Sequence, residues 1–174
     1  MPFFSQTSPV HKKIWGTERV ICKINNTHIL KFIQTLQPTS VQVHPRSPDI
    51  LPEQDGEIWC VFKKQPKSAL YLGFSRETNR REIFHAIQDG TITSLMRCYR
   101  PLVGDCFWVP AGMIHCLGPG LMVLEIRPSE SPTWRLYDWN RQTGRTLHLE
   151  AGLNEIEKQI NIQTMRFENY SIVS

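Results

Sequence analysis

The sequence has no Cys-x-x-Cys pair. Its five cysteines, in a chain of 174 residues, stand singly at Cys22, Cys60, Cys98, Cys106 and Cys116. That spacing excludes a zinc ribbon, and the odd number argues against a secreted disulfide framework. Reduced thiols are expected, with Cys60, Cys106 and Cys116 as small buried hydrophobes inside apolar strand patterns. Any apolar run near the roughly 18 residues of a membrane span is also missing. The first residues, Met1 to Pro9, lack the basic start and apolar core of a leader. A cytoplasmic protein with no membrane partner is expected. The formal charge is +4, but the 20 Lys and Arg form no run, so no nucleic-acid surface is indicated. Charge adds only a bias toward anionic small molecules. Internal repeats and low-complexity segments are absent, and a chain of this length can bury roughly 70% of its unfolded surface as one domain.

What the sequence does have is many short apolar-alternating segments. The patterning predicts strands over 20–23, 28–36 and 40–44, broken by Asn25-Asn26 and Gln37-Pro38. More strands are expected over 57–63, 69–74, 106–109, 114–117, 121–127 and 133–138. Asn79 with Glu82 forms a capping box ahead of the stripe Ile83, Phe84 and Ile87, and Gly90 closes that helix. Short helices are expected over 94–98 and 150–160, and an edge strand over 167–173. Many strands and few helices predict an all-β fold, a jelly roll with peripheral helices.

Alternation within 40–44 sets Ser40, Gln42 and His44 on one face and Val41 and Val43 on the other. From Gly104 to His115 a Gly-Asp turn, a strand and a Pro-x-Gly corner fix a histidine two residues into the next strand. Glu57 opens a strand after the Pro-rich loop over 45–56. His44, Glu57 and His115 form a two-histidine, one-carboxylate set that suits divalent zinc, iron or manganese, and Gln42 adds a fourth donor. A non-haem iron oxygenase is one use of such a triad, but Gln42 would occupy a position that oxygen chemistry needs open. His11, His28 and His85 have no comparable context.

The run Gly104-x5-Pro110-x-Gly112-x2-His115 resembles the second cupin motif. Ser40-Val41-Gln42-Val43-His44-Pro45 resembles the first, with its leading histidine replaced by glutamine. Glu57-Ile58-Trp59, the run from Pro110 to Gly120, and Trp134 to Arg141 extend the likeness over about residues 40 to 157, with Trp15-Gly16 as a weaker outlier. Together these blocks resemble the type I mannose-6-phosphate isomerases. The resemblance implies a single cupin domain over 1–174, with its metal-site core at about 40–157 and 158–174 as a C-terminal tail. It implies one zinc ion on Gln42, His44, Glu57 and His115, Arg135 as the active-site arginine and Glu125 as the group that moves the proton. Arg141 would help hold phosphate and Ser40 would line the substrate pocket. The implied reaction interconverts mannose 6-phosphate and fructose 6-phosphate through an enediolate, and a homodimer is compatible with it.

The sequence also departs from that family. A helical insert before the Ser-x-Gln-x-His strand and a second β-domain are missing, Asp55 replaces a lysine, and Ser131 replaces an aspartate. The alternative they leave open is a sugar-phosphate-binding cupin without turnover. If the chain leading into Glu57 is already extended, Asp55 lies on the face of Glu57 and points at the pocket.

Overall fold

The computed structural model describes residues 8–24, 27–51 and 54–156, and the backbone of 157, 166 and 167. Its strands are β1 (His11–Lys13), β2 (Gly16–Ile24), β3 (His28–Thr35), β4 (Val41–Val43), β5 (Gly56–Lys64), β6 (Leu70–Phe74), β7 (Met96–Tyr99), β8 (Cys106–Pro110), β9 (His115–Leu117), β10 (Leu121–Pro128), β11 (Trp134–Tyr137) and β12 (Arg166–Phe167). They pair antiparallel in two sheets, ordered β1-β2-β3-β10-β5-β8-β12 and β11-β4-β9-β6-β7. The fold is a cupin-like, mostly β architecture.

Strand alternation decides what each sheet covers. On β6, Leu70 and Leu72 turn toward the first sheet and pack with Ile33, Trp59, Phe107 and Val123 in the core between the sheets. On β4, Val41 and Val43 turn the other way, into a second core under helices α1 (Arg80–Gln88) and α2 (Leu149–Glu157). Leu70 and Leu72 are fully buried, each stabilising the fold by about 1.5–3 kcal/mol through removal of apolar surface from water. With the valines committed to the helices, Gln42 between them must face the space between the sheets.

Helix α1 starts where the capping signal placed it: Asn79 Oδ1 accepts from the Glu82 backbone N–H at 3.0 Å. Ile83, Ala86 and Ile87 bury its inner face, whereas Phe84 is exposed at 36% and lies off the expected stripe. Leu153 and Ile156 seat α2 on the same core, and the expected end of that helix at Ile160 lies outside the described residues.

Two expectations are corrected, and one strand is added. The helix expected over 94–98 is a 3-10 turn, Ile92–Ser94, followed by strand β7, whose Tyr99, Cys98 and Met96 pair with Leu70, Tyr71 and Phe74 of β6. Pairing to an open sheet edge outweighs local helix preference here. Strand β1 pairs with β2 and carried no apolar pattern to reveal it. Cys60 and Cys106 are neither free nor core residues: they oppose each other across β5 and β8, 4.1 Å apart at Cα, and form a disulfide. Trp59 and Val61 take the inward positions of β5, so Cys60 between them faces outward, where its partner stands. Cys116 is buried, as expected, while Cys22 and Cys98 are exposed. The edge strand expected over 167–173 is met at Phe167, which with Arg166 pairs to β8; the remainder lies outside the described residues. Among the described residues no helix is long and apolar enough to cross a membrane.

Candidate metal centre

Register across the second sheet lines up three polar residues. Arg135 on β11 opposes Gln42 on β4, and Gln42 opposes His115 on β9. Directly opposed residues share a face, so all three project into the space between the sheets. The first sheet supplies a facing row: Lys31 on β3 opposes Glu125 on β10, and Glu125 opposes Trp59 on β5. Glu57 lies two residues before Trp59 and shares its side of β5.

The corner Pro110-Ala111-Gly112 ties the two stretches together. Gly112 adopts φ 83°, which favours a residue without Cβ. The turn lets the Gly112 N–H reach His44 O at 2.7 Å and the Ala111 N–H reach Asp55 O at 2.8 Å. The loop before His115 is thus bonded to both His44 and the entry to Glu57, although these are about seventy and sixty residues away in sequence. That is why the donors converge: one potential ligand atom each from His44, Glu57 and His115 lies within 4.8 Å of the others, and all three residues are buried.

The imidazoles are oriented by their outer nitrogens. His44 Nδ1 lies 2.7 Å from Pro132 O, and His115 Nδ1 lies 2.8 Å from Met113 O. A carbonyl only accepts, so each Nδ1 carries a proton and each ring turns its Nε2 into the cluster, where an imidazole without a second proton presents a lone pair. His44 Nε2 sits 2.9 Å from Glu57 Oε1. Two acceptors at that distance repel unless a proton or a metal cation lies between them. Glu57 Oε1 is buried and has no hydrogen-bond partner, although Arg127 Nη1 stands 3.4 Å away. Gln42 Nε2 is 3.5 Å from His44 Nε2 and 3.3 Å from His115 Nε2, and Gln42 Oε1 accepts from Ser40 Oγ at 2.9 Å. Rotating that amide by 180° turns Oε1 toward the imidazoles, and Ser40 Oγ can then accept from Nε2.

Charge follows the same geometry. Burial opposes ionisation of Glu57, but the imidazole of His44 and then Arg127 outweigh it and hold the carboxyl well below its usual range. Burial, reinforced by His44, pushes His115 down to about 4 against the pull of Glu57. His115 is therefore neutral at pH 7, the form that donates a lone pair. Glu57 Oε2 and Glu125 Oε2 share one donor, Trp59 Nε1, at 3.1 Å each. Burial and the charge of Glu57 raise the Glu125 carboxyl, only partly offset by Lys31 Nζ at 2.8 Å from Oε1.

Above this cluster lies a cavity of about 270 Å³ whose lining includes Gln42, Glu125, Lys31, Arg127, Arg135 and Arg145. Gln42, Glu125 and Arg135 line the cavity, and Gln42 connects it to His44 and His115. Ser40 and Arg141 do not line it. Ser40 is buried and bonded to Gln42. Arg141 is held by Asp138 Oδ1 and Pro38 O, both at 2.9 Å, and by Asp138 O at 3.0 Å. Asp55 points neither at the cavity nor into solvent. Because β5 starts only at Gly56, the chain is not extended at Asp55, and its buried Oδ2 accepts from the Ser47 N–H at 2.7 Å, fastening the loop. Trp59, Lys31, Arg127 and Arg145 were not singled out from the sequence as site residues. Lys31 could have been: it shares the inward parity of Ile33 within an apolar strand.

Two antiparallel sheets enclosing a Gln-His-Glu-His cluster define the class: a cupin-like β protein with the donor set of a metal centre. No protein-family model matches the chain. The chain is 30% identical over 138 residues to mannose-6-phosphate isomerase ManA of Bacillus subtilis, spanning 74% of this chain and 44% of that protein. It is 32% identical over 153 residues to the mannose-6-phosphate isomerase of Streptococcus mutans, spanning 83% of this chain and 47% of the relative. The crystal structure of the Bacillus subtilis mannose 6-phosphate isomerase superposes with a TM-score of 0.65 at 25% identity, over 74% of this chain and 44% of that one. The resemblance carried by the short motifs thus extends along most of the chain: its homologues are mannose-6-phosphate isomerases. It spans less than half the length of these relatives.

Proposed function

We propose that the chain is a metal-dependent aldose–ketose isomerase that interconverts mannose 6-phosphate and fructose 6-phosphate, as one cupin unit acting in the cytoplasm. The observation that carries this reading is the buried cluster itself: two Nε2 atoms turned inward, one carboxylate oxygen without a hydrogen-bond partner and one amide, gathered beside a cavity rich in arginine. Those features fit one zinc ion, held by Gln42, His44, Glu57 and His115. When bound, the ion would supply Lewis acidity toward sugar oxygens.

The chain's own residues account for the remaining needs. Glu125, raised by burial and by Glu57 and lining the cavity, takes a proton from one carbon and returns it to its neighbour. Lys31 holds Glu125 Oε1, and Trp59 holds Oε2, fixing the direction of transfer. Arg135, next to Gln42 in register, places a cation against the charge that grows on the substrate oxygens. Trp59 also keeps the Glu57 carboxylate turned toward the imidazoles.

The span of less than half the relatives' length favours a second reading, a sugar-phosphate-binding module without turnover. Assay of zinc-loaded and chelator-stripped protein with each hexose phosphate separates the two. The isomerase reading expects interconversion that disappears on chelation and returns with zinc. A zinc-loaded chain that converts neither compound gives the binding module precedence.

A further inference from the structure

The two ends of the cavity differ in how their charges are used. On the first sheet every carboxylate of the lining has a cation. Glu18 lies 3.0 Å from Lys13 and 3.7 Å from Lys31, and Lys31 lies 2.8 Å from Glu125. Arg127 is spent on Glu57 and on the carbonyls of Pro128 and Ser131. On the second sheet the balance is reversed. Arg135, Arg141 and Arg145 gather around a single carboxylate, Asp138, which takes Arg141 at 2.9 Å and Arg145 at 3.3 Å. Among the described residues no carboxylate bridges Arg135, and its buried Nε has no hydrogen-bond partner. Three guanidiniums against one carboxylate leave two positive charges uncompensated beside the cavity.

The arrangement also divides the labour among the three arginines. Arg141 is tied to its own turn and to Pro38 O through Nε and Nη2, which leaves only its buried Nη1 without a partner; it braces Asp138 and is not part of the cavity lining. Asp138, 7% exposed at its side chain, contacts Arg145 through only one nitrogen, Nη1. Arg145 lines the cavity together with Arg135. The two are close enough that burial and then the charge of Arg145 both act to lower the Arg135 guanidinium. Like charges held together in a partly buried cleft are stabilised by a dianion between them.

We infer that Arg145, aimed by Asp138, forms with Arg135 the subsite for a phosphate monoester dianion, and that Arg141 is a brace for this subsite. The inference deepens the sugar-phosphate reading above and rests on it. A phosphate monoester carries about −1.5 to −2 charges at neutral pH, which matches the two uncompensated positive charges. The same match predicts weaker binding below about pH 6, where the ester gains its second proton.

The test is calorimetric binding of mannose 6-phosphate to the zinc-loaded, full-length chain, with unphosphorylated mannose and inorganic phosphate as separate probes. Arg145→Gln should weaken mannose 6-phosphate and inorganic phosphate about 10- to 100-fold, the scale of a lost charge-assisted contact. Arg145→Lys should recover part of that loss, and mannose binding should not change. Zinc content and thermal midpoint, read on the same samples, show that the variant is folded. Unchanged affinity for the phosphate compounds in a folded Arg145→Gln protein overturns the subsite. An equal loss for mannose and mannose 6-phosphate also overturns it. Wild type that binds mannose 6-phosphate tightly without converting it, and loses that binding in Arg145→Gln, supports the subsite while removing the isomerase reading.

Discussion

Replacing Lys31 by methionine keeps most of the apolar stem and removes the cation 2.8 Å from Glu125 and 3.7 Å from Glu18. Glu18 keeps Lys13 at 3.0 Å, so the effect falls on Glu125, whose side chain is 4% exposed. Breaking a buried pair costs about 3–5 kcal/mol if the remaining charge must stay ionised. Glu125 can instead take up a proton. From an ordinary glutamate value of about 4.3, that limits the penalty to about 3.7 kcal/mol at pH 7 and about 1 kcal/mol at pH 5. The sign follows from the direction of the shift. Burial and Glu57 already raise this carboxyl in the folded protein, so it favours folding at low pH and that contribution is lost as pH rises through the folded value. Removing Lys31 raises the carboxyl further and widens the window. Urea unfolding of metal-free protein, followed by tryptophan fluorescence, should therefore show Lys31→Met much less stable than wild type at pH 7 and only slightly less stable at pH 5. Adding Glu125→Gln should recover most of the loss at pH 7. A deficit that is the same at both pH values, or that Glu125→Gln does not reduce, would refute the assignment of Lys31 as the counter-charge of Glu125.

Among the four donors, Glu57→Ala should lower zinc affinity more than Gln42→Ala, because it removes charge compensation for the dication as well as a ligand; competitive titration against a chromophoric chelator gives the order. Asp55→Lys should leave the KM for a sugar phosphate no lower, because Asp55 faces the Ser47 N–H and not the cavity. The same variant should lower unfolding stability by about 1–3 kcal/mol, the cost of leaving that buried donor without an acceptor. Alkylation of denatured, unreduced protein should modify Cys22, Cys98 and Cys116 only, and prior reduction should add Cys60 and Cys106; five reactive thiols without reductant would exclude the bridge.

The alternation of Val41, Gln42 and Val43 was enough to read which side of β4 bears the donor, because one face had to be apolar for α1 and α2 to pack on it. The Pro-x-Gly corner gave away His115, since only a residue tolerating positive φ turns the chain there. Other features depend on partners distant in sequence. Strand β7 is set by its pairing to β6, and Met96 to Tyr99 carries no local mark of that edge. The disulfide needed the register of β5 against β8, which no spacing in the sequence states. Arg141 and Arg145 lie four residues apart and look equivalent in sequence. Only the closure of the loop around Asp138 and Pro38 spends one of them and leaves the other facing the cavity. The condition for an inward Asp55, a chain already extended ahead of Glu57, is not met, because β5 starts only at Gly56.

The central claim is that Gln42, His44, Glu57 and His115 hold one divalent ion. Anomalous diffraction from crystals of the zinc-loaded protein, recorded on both sides of the zinc absorption edge, tests it directly. The account predicts one strong peak per chain, enclosed by those four side chains, with the Gln42 amide oxygen turned toward it. A zinc-loaded crystal with no peak at that position, or with its principal peak on other residues, would contradict it.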